Sequence, residues 1–194
     1  MKVRRLVPAL PIVLVGAVLA LAGPARAQID PFAALRDNVA RAAAGNDTGT
    51  VEYLVGTGNN PNATHRGYTA LHYAAMFGNT EMIAALVKAG ARVDALDRLG
   101  NTPLCLAAAR RQDEAARLLI AAGADVNVQN HDGMTPLMAA AEHGDLTLVR
   151  FLLAHGADPR KHDYTGRSAA NWAENSHRPT VLAVIQHALA EAKR

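Results

Sequence analysis

The side chains best suited to chemistry in this 194-residue chain are its one cysteine and eight histidines. Cys105 and His72 could in principle act as a nucleophile and its base. Such a pair works only when the imidazole lies within hydrogen-bond reach of the thiol. The two residues are 33 positions apart, so the elements that carry them decide whether they can meet.

Four of the histidines fall in one part of the chain and could supply metal ligands: His131, His143, His155 and His162. A metal site needs two or three converging ligands with ordered groups behind them. None of these histidines has the His-x-x-x-His spacing that puts two imidazoles on one helix face. The spacing favours solvent-facing histidines, and a metal site remains the alternative.

Sequence signatures of the common enzyme classes do not occur in the chain. It has no nucleophile motif, no paired-carboxylate signature and no glycine-rich phosphate loop. An active site would need several convergent polar groups. We therefore expect no catalytic residues and no cofactor.

A period of 33 residues runs through most of the chain. The segment Thr69–His72 recurs as Thr102–Cys105 and Thr135–Met138, and weakly as Ser168–Asn171. Glycines keep the same step in two series, which are Gly67, Gly100, Gly133 and Gly166, and Gly90, Gly123 and Gly156. A fixed period of this length predicts a stacked repeat array, whose extended surface usually binds other proteins.

The period also bears on the cysteine and histidine pair. His72 and Cys105 occupy equivalent positions of neighbouring units, which places them about one helix spacing apart, roughly 8–10 Å. That distance is too long for a catalytic dyad. We expect Cys105 to be a small, buried and inert thiol.

Residues 98–130 show how each unit is built. Thr102 is a good N-cap and Pro103 suits the first position of a helix. Asp113 opens a second helix, where an acidic residue is favourable, and Gly123 ends that helix. Each unit is therefore predicted to contain two helices followed by an extended, turned segment.

These motifs resemble those of the ankyrin repeat family. Gly100–Ala108 reads Gly-Asn-Thr-Pro-Leu-Cys-Leu-Ala-Ala, and Gly123–Asn127 reads Gly-Ala-Asp-Val-Asn. Gly133–Ala141 and Gly67–Ala75 repeat the first motif with small departures. The resemblance implies an all-α ankyrin-repeat solenoid of stacked helix-turn-helix units with projecting hairpin-like loops. It also implies that His72 makes structural hydrogen bonds that tie loops together.

The repeats define the expected organisation of the chain. Three full repeats are predicted at 65–97, 98–130 and 131–163, and degenerate units at 28–64 and 164–194 are predicted to cap the array.

Arg111 departs from the pattern, because Gly78 and Gly144 end the first helices of their repeats at that position. If the backbone is left-handed there, a side chain costs about 1 kcal/mol. Either the helix continues slightly or the arginine is kept for a surface contact.

Residues 1–27 have the pattern of a secretory signal peptide. Basic residues at the start precede an apolar run from Leu6 to Ala22, and Ala25 and Ala27 form an Ala-x-Ala end. We expect cleavage after Ala27, a periplasmic or secreted protein, and no stable membrane insertion after cleavage.

Removal of this segment changes the charge of the chain. The precursor has 20 Lys and Arg against 17 Asp and Glu, and the first 27 residues contain four basic residues and no acid. The remaining 167 residues therefore have a net charge of −1. We expect no nucleic-acid partner, since nothing in the remainder resembles a phosphate-binding footprint.

The family resemblance implies that a partner protein docks on the concave face formed by loop tips and first helices. By position, the tip residues are Leu96, Arg98, Leu99, Gln129, His131, Asp132, His162 and Tyr164. The first-helix residues are Tyr73, Met76, Phe77, Leu106, Arg110, Glu142 and His143.

We therefore expect an exported adaptor or inhibitor that binds an unidentified envelope protein and is monomeric when alone. The alternative is a metal-dependent or enzymatic periplasmic protective factor. A copurifying protein partner would favour the first hypothesis, and a bound metal or turnover would favour the second.

Overall fold

The structure is a computed structural model that describes residues 38–192. The predicted signal segment and the first ten residues after it lie outside the described residues. The helices of the described part are α1 (Asn38–Ala44), α2 (Thr48–Gly56), α3 (Ala70–Phe77), α4 (Thr80–Lys88), α5 (Pro103–Ala109), α6 (Asp113–Ala121), α7 (Pro136–His143), α8 (Leu146–Ala154), α9 (Ala169–Asn175) and α10 (Pro179–Glu191). Two short strands, β1 (Thr64–His65) and β2 (Tyr68–Thr69), form an antiparallel hairpin.

The helices are arranged in two layers. The first helices of successive units, α1, α3, α5, α7 and α9, pack side by side, and the second helices, α2, α4, α6, α8 and α10, do the same. Within each unit the two helices also pack against each other. The predicted all-α ankyrin-type solenoid is therefore confirmed.

The first helices of the last four units, α3, α5, α7 and α9, begin where the repeated Thr or Ser predicts. The hydroxyls of Thr69, Thr102 and Thr135 cap α3, α5 and α7, and Ser168 caps α9 in the same way. The capping hydroxyl accepts a backbone N–H that the first turn of a helix leaves unpaired.

The core follows the 33-residue step. Leu86, Leu119 and Leu152 are fully buried at equivalent positions of the second helices. Pairs of adjacent alanines, such as Ala107 and Ala108, are fully buried on the first helices. Their small side chains let neighbouring helices approach closely, so the stack has one continuous core.

The turn between the two helices of each unit contains a residue with positive φ. These residues are Asn46, Gly78, Arg111, Gly144 and His177. At Arg111 φ is 57°, and α5 ends before it at Ala109. The backbone is therefore left-handed at Arg111 and the helix does not continue through it.

The residue that faces this turn from the next unit explains where glycine is needed. A side chain at Gly78 would collide with Gln112, and a Cβ at Gly144 would lie 2.6 Å from Cδ of Arg178. The 33-residue step places the shorter Asp145 opposite Arg111. The long side chains of Gln112 and Arg178 therefore pack over Gly78 and Gly144, and the residue at the position equivalent to theirs beside Arg111 is shorter.

Across residues 38–192, no helix combines the length and apolar character that crossing a membrane requires.

Candidate functional site

The last three loop tips are each ordered around one polar side chain. Oδ1 of Asp97 accepts the backbone N–H groups of Leu99 and Asn101, both at 2.8 Å. Asn130 and Asp163 occupy the equivalent positions and accept the corresponding pairs of N–H groups at 2.9–3.0 Å. The tips are therefore held in shape by internal hydrogen bonds.

The last tip is the most extensively bonded. Asp163 is buried and accepts hydrogen bonds from the hydroxyl of Thr165 at 2.6 Å, Nε of Arg167 at 3.1 Å and Nε1 of Trp172 at 3.0 Å. Burial alone would raise the pKa of Asp163, but the hydrogen bonds from Thr165, Arg167 and Trp172 outweigh it and lower the pKa to about 2. The Arg167 guanidinium also lies 3.9 Å from the centre of the Trp172 ring.

Successive tips contact one another directly. Three predicted tip residues lie across the glycine of the preceding tip, namely Arg98 over Gly67, His131 over Gly100 and Tyr164 over Gly133. A Cβ at Gly67 would lie only 2.6–2.8 Å from the Arg98 side chain. At Gly133 the obstacle is backbone, because a Cβ there would lie 2.7 Å from the backbone N of Tyr164, so the next tip leaves no room for a side chain at that position.

Most predicted partner-binding residues are accessible. The exposed ones are Phe77, Leu96, Arg98, Leu99, Arg110, His131, Asp132, His162 and Tyr164. The half-buried ones are Met76, Leu106, Gln129, Glu142 and His143. Leu96 and Leu99 are 56% and 59% exposed, respectively, at one tip. Among the described residues, neither leucine belongs to the hydrophobic core or packs against it.

Tyr73 and Gln129 have structural roles that the sequence does not reveal. Tyr73 is buried, and its hydroxyl donates to the carbonyl of His65 at 3.0 Å. We therefore correct its assignment, because its ring supports the first hairpin instead of facing a partner. Gln129 donates through Nε2 to the carbonyls of Gly133 at 2.7 Å and His162 at 2.9 Å, which joins two tips.

Cys105 and His72, the two residues considered as a catalytic pair, are both buried and have structural roles. Nδ1 of His72 accepts the backbone N–H of Thr69 at 3.2 Å, and Nε2 lies 3.0 Å from the carbonyl of Asn101 in the next repeat. Burial raises the pKa of the Cys105 thiol to about 11. A buried thiol of that pKa is protonated at neutral pH, so it is not a nucleophile there.

His72 makes the stability of the array depend on pH. Burial lowers the pKa of His72, against an opposing effect of the Asn101 carbonyl. The unfolded chain therefore binds a proton at His72 before the folded chain does, and stability is lost as the pH falls below about 6.5. His72→Gln should remove this loss, so that its stability relative to the parent rises between pH 7.5 and 5.5.

Urea unfolding of the parent and of His72→Gln at both pH values measures this difference. The change in the free energy of unfolding that His72 contributes cannot exceed about 1.4 kcal/mol per pH unit, since one proton is involved. Other titrating groups affect both proteins and cancel in the comparison. Equal pH dependence in the two proteins would contradict a buried, neutral His72.

A pair of carboxyl groups near the interhelical turns has no sequence motif that reveals it. Burial, and then a hydrogen bond and charge repulsion from Asp145, raise the pKa of Asp113 to about 6. Asp145 also caps α8 by accepting the N–H of Leu148 at 3.0 Å. Asp113 and Asp145 are 32 positions apart, which is close to the 33-residue period. The stacking of neighbouring repeats therefore predicts that they lie near each other. No cluster of three or more His, Cys, Asp or Glu residues suited to a metal ion occurs within residues 38–192.

Comparison with known proteins identifies the repeat. A family model described as ankyrin repeats (three copies) matches residues 39–130 and again residues 122–193. The chain belongs to the ankyrin repeat family. Members of this family generally mediate protein–protein binding and are typically not enzymes, which agrees with the exposed tips and the committed state of His72 and Cys105.

One curated relative shares part of the array. Over 44 residues the chain is 50% identical to Protein glp-1 of Caenorhabditis elegans, a match that covers 23% of this chain and 3% of that protein. The chain thus matches only a small part of that relative's length, and the likeness concerns the repeat itself.

Proposed function

We propose that this protein is an exported adaptor or inhibitor that binds an envelope protein through its loop tips and first helices. We call this side of the array the front surface, and the side formed by the second helices the back. The observation that carries the proposal is the exposure of Phe77, Leu96 and Leu99 on the front surface. Apolar side chains beside arginine are typical of interface anchors.

The order of the tips supports the proposal. Asp97, Asn130 and Asp163 hold three successive tips through backbone hydrogen bonds, and Gln129 joins two of them. A surface that is already ordered loses little conformational entropy when a partner binds. The family's general role in protein binding supports the same conclusion.

A charge-reversing variant of the front surface tests the proposal. Leu99→Ser combined with Arg110→Glu removes an apolar anchor and reverses a charge on exposed residues of one repeat. We expect this protein to keep the far-UV CD spectrum and melting midpoint of the parent and to lose most of its affinity for a copurifying partner.

The matched control carries the same changes on the back, as Leu118→Ser with Arg150→Glu. Leu118 is 37% exposed and Arg150 is exposed. The control should bind the partner as the parent does. Unchanged binding by the folded front variant would move the interface elsewhere, with His131, Glu142 and His143 as the next region to test.

Export rests on the signal-peptide pattern of residues 1–27, and the proposed location is the periplasm or the exterior of the cell. N-terminal sequencing of exported material should begin at Gln28, because Ala25 and Ala27 are small enough for the signal peptidase pocket. A membrane-bound species that retains Met1 would contradict export by cleavage.

A further inference from the structure

The charges of the front surface are divided along the array. Three arginines stand on the front of the first two full repeats, and all three are exposed, namely Arg66, Arg98 and Arg110. The ion pairs formed within residues 38–192 involve other cations, so none of these three guanidinium groups is within 4.0 Å of a carboxylate there. Their charge is therefore available to a partner.

The first tip holds an arginine in a backbone conformation that disfavours it. Arg66 and Gly67 form the turn between β1 and β2 and have φ values of 54° and 90°. Such turns favour Asn or Gly at the position of Arg66. A residue kept in a disfavoured conformation at an exposed tip is a reason to look for a function there.

Packing between neighbouring tips places a second arginine, Arg98, against the tip that carries Arg66. The side chain of Arg98 lies across Gly67, the residue that follows Arg66 in the chain. Leu96 and Leu99, both more than half exposed, flank Arg98. At the far end of the first helices, Phe77 and Arg110 occupy equivalent positions of neighbouring repeats. We define the basic–apolar patch as six of these residues, namely Arg66, Leu96, Arg98, Leu99, Phe77 and Arg110.

The next repeat has the opposite charge. No Lys or Arg occurs between Arg117 and Arg150, and the part of that stretch that belongs to the third full repeat contains Asp132, Glu142 and Asp145. Asp132 is exposed at a tip, and Glu142 is half-buried on α7. A strongly acidic ligand that lies over the first two full repeats would therefore be repelled if it continued over the third.

We propose that the basic–apolar patch binds a short acidic segment of the partner protein that also carries large apolar side chains. This inference rests on the proposed function and adds the chemistry of the ligand. Carboxylates of the segment pair with the planar guanidinium groups, which match carboxylates in geometry. Its apolar side chains contact Leu96, Leu99 and Phe77. The acidic third repeat limits the segment to the first two full repeats and favours one orientation.

Selection from a random library of displayed 12-residue peptides tests this chemistry. The targets are the purified parent protein, Arg98→Glu with Arg110→Glu, and a control with the same charge change on the back, Lys88→Glu with Arg150→Glu. Peptides selected by the parent and by the control should be enriched in Asp and Glu, with Leu or Phe between them. The reversed protein should lose that enrichment and favour Lys and Arg.

Affinity measurements give the size of the effect. An acidic peptide selected on the parent should bind the reversed protein on the order of 10-fold more weakly and should bind the control as it binds the parent. If the reversed protein does not keep the parent's CD spectrum, Arg98→Gln with Arg110→Gln replaces it and should also lose acidic enrichment. Binding to the parent should weaken as salt increases.

The outcomes separate this inference from the proposed function. Selected peptides that lose binding to Leu99→Ser with Arg110→Glu but show no acidic enrichment would overturn the ligand chemistry and leave the front surface as the interface. Enrichment in Asp and Glu that persists among peptides selected on the reversed protein would also overturn the ligand chemistry and leave the front surface as the interface. Binding of the parent to phosphatidylglycerol vesicles without acidic peptide enrichment would also overturn it. Failure to select any peptide that depends on the front surface would count against both proposals.

Discussion

Leu119→Ala should lower the free energy of unfolding by about 2–5 kcal/mol. Leu119 is fully buried on the second helix of the central repeat, where it belongs to the continuous core. Removing its side chain eliminates apolar contacts and leaves a cavity that the stacked helices fill only in part. Each repeat is stabilised by its neighbours, so the loss is felt on both sides of α6.

The adjacent leucine provides the control for this prediction. Leu118 is on the same helix but 37% exposed, so Leu118→Ala should cost clearly less. Urea unfolding followed by far-UV CD compares the two variants at equal helix propensity. Equal midpoints would contradict the burial pattern described for α6.

Asp163→Ala should be the most damaging polar substitution, with a loss of about 2–4 kcal/mol. The carboxylate of Asp163 accepts hydrogen bonds from Thr165, Arg167 and Trp172. Hydrogen bonds to a charged group contribute more than neutral ones, and their removal leaves half-buried donors without a partner. The last tip and the α9 helix that carries Trp172 should both loosen.

Asp163→Asn is the matched control. Asn130 already fills the equivalent position of the preceding tip and accepts two backbone N–H groups, so an amide should keep part of the network. Because the pKa of Asp163 is depressed to about 2, its contribution is present above pH 4 and is lost as the pH falls towards 2. Thermal unfolding of the parent and of both variants at pH 7 and pH 3 measures how the contribution of Asp163 changes with pH. Equal losses for alanine and asparagine at pH 7 would contradict the importance of the backbone contacts.

The repeat architecture is predictable because its signals are local and recur. Thr102 and Pro103 specify the start of a helix by their own chemistry, and the 33-residue step repeats that information in neighbouring units. The same step predicts that His72 and Cys105 lie too far apart for a catalytic pair. The structural role of His72 is implied by the family resemblance, and the 3.0 Å contact of its Nε2 with the carbonyl of Asn101 confirms that it links neighbouring repeats.

Other features depend on which residue the next repeat provides. The sequence leaves the conformation at Arg111 open because the answer involves the facing side chain, Asp145. Tyr73 was predicted to face a partner, but the carbonyl of His65 accepts its hydroxyl and the hairpin covers its ring. The bridge that Gln129 forms to His162 also spans one full repeat. Contacts between repeats decide the cases of Arg111 and Gln129, whereas the hydrogen bond from Tyr73 to His65 joins the hairpin and the first helix of a single repeat.

The binding of a protein partner at the front surface is the central claim, and site-specific photocrosslinking tests it most directly. A photoreactive phenylalanine analogue replaces Leu99 on the front or Leu118 on the back, in cells that naturally produce the protein. If a partner binds at the front surface, we expect a discrete adduct with another protein from position 99 and none from position 118. Adducts from position 118 alone, or none from position 99 in a folded and exported protein, would contradict it.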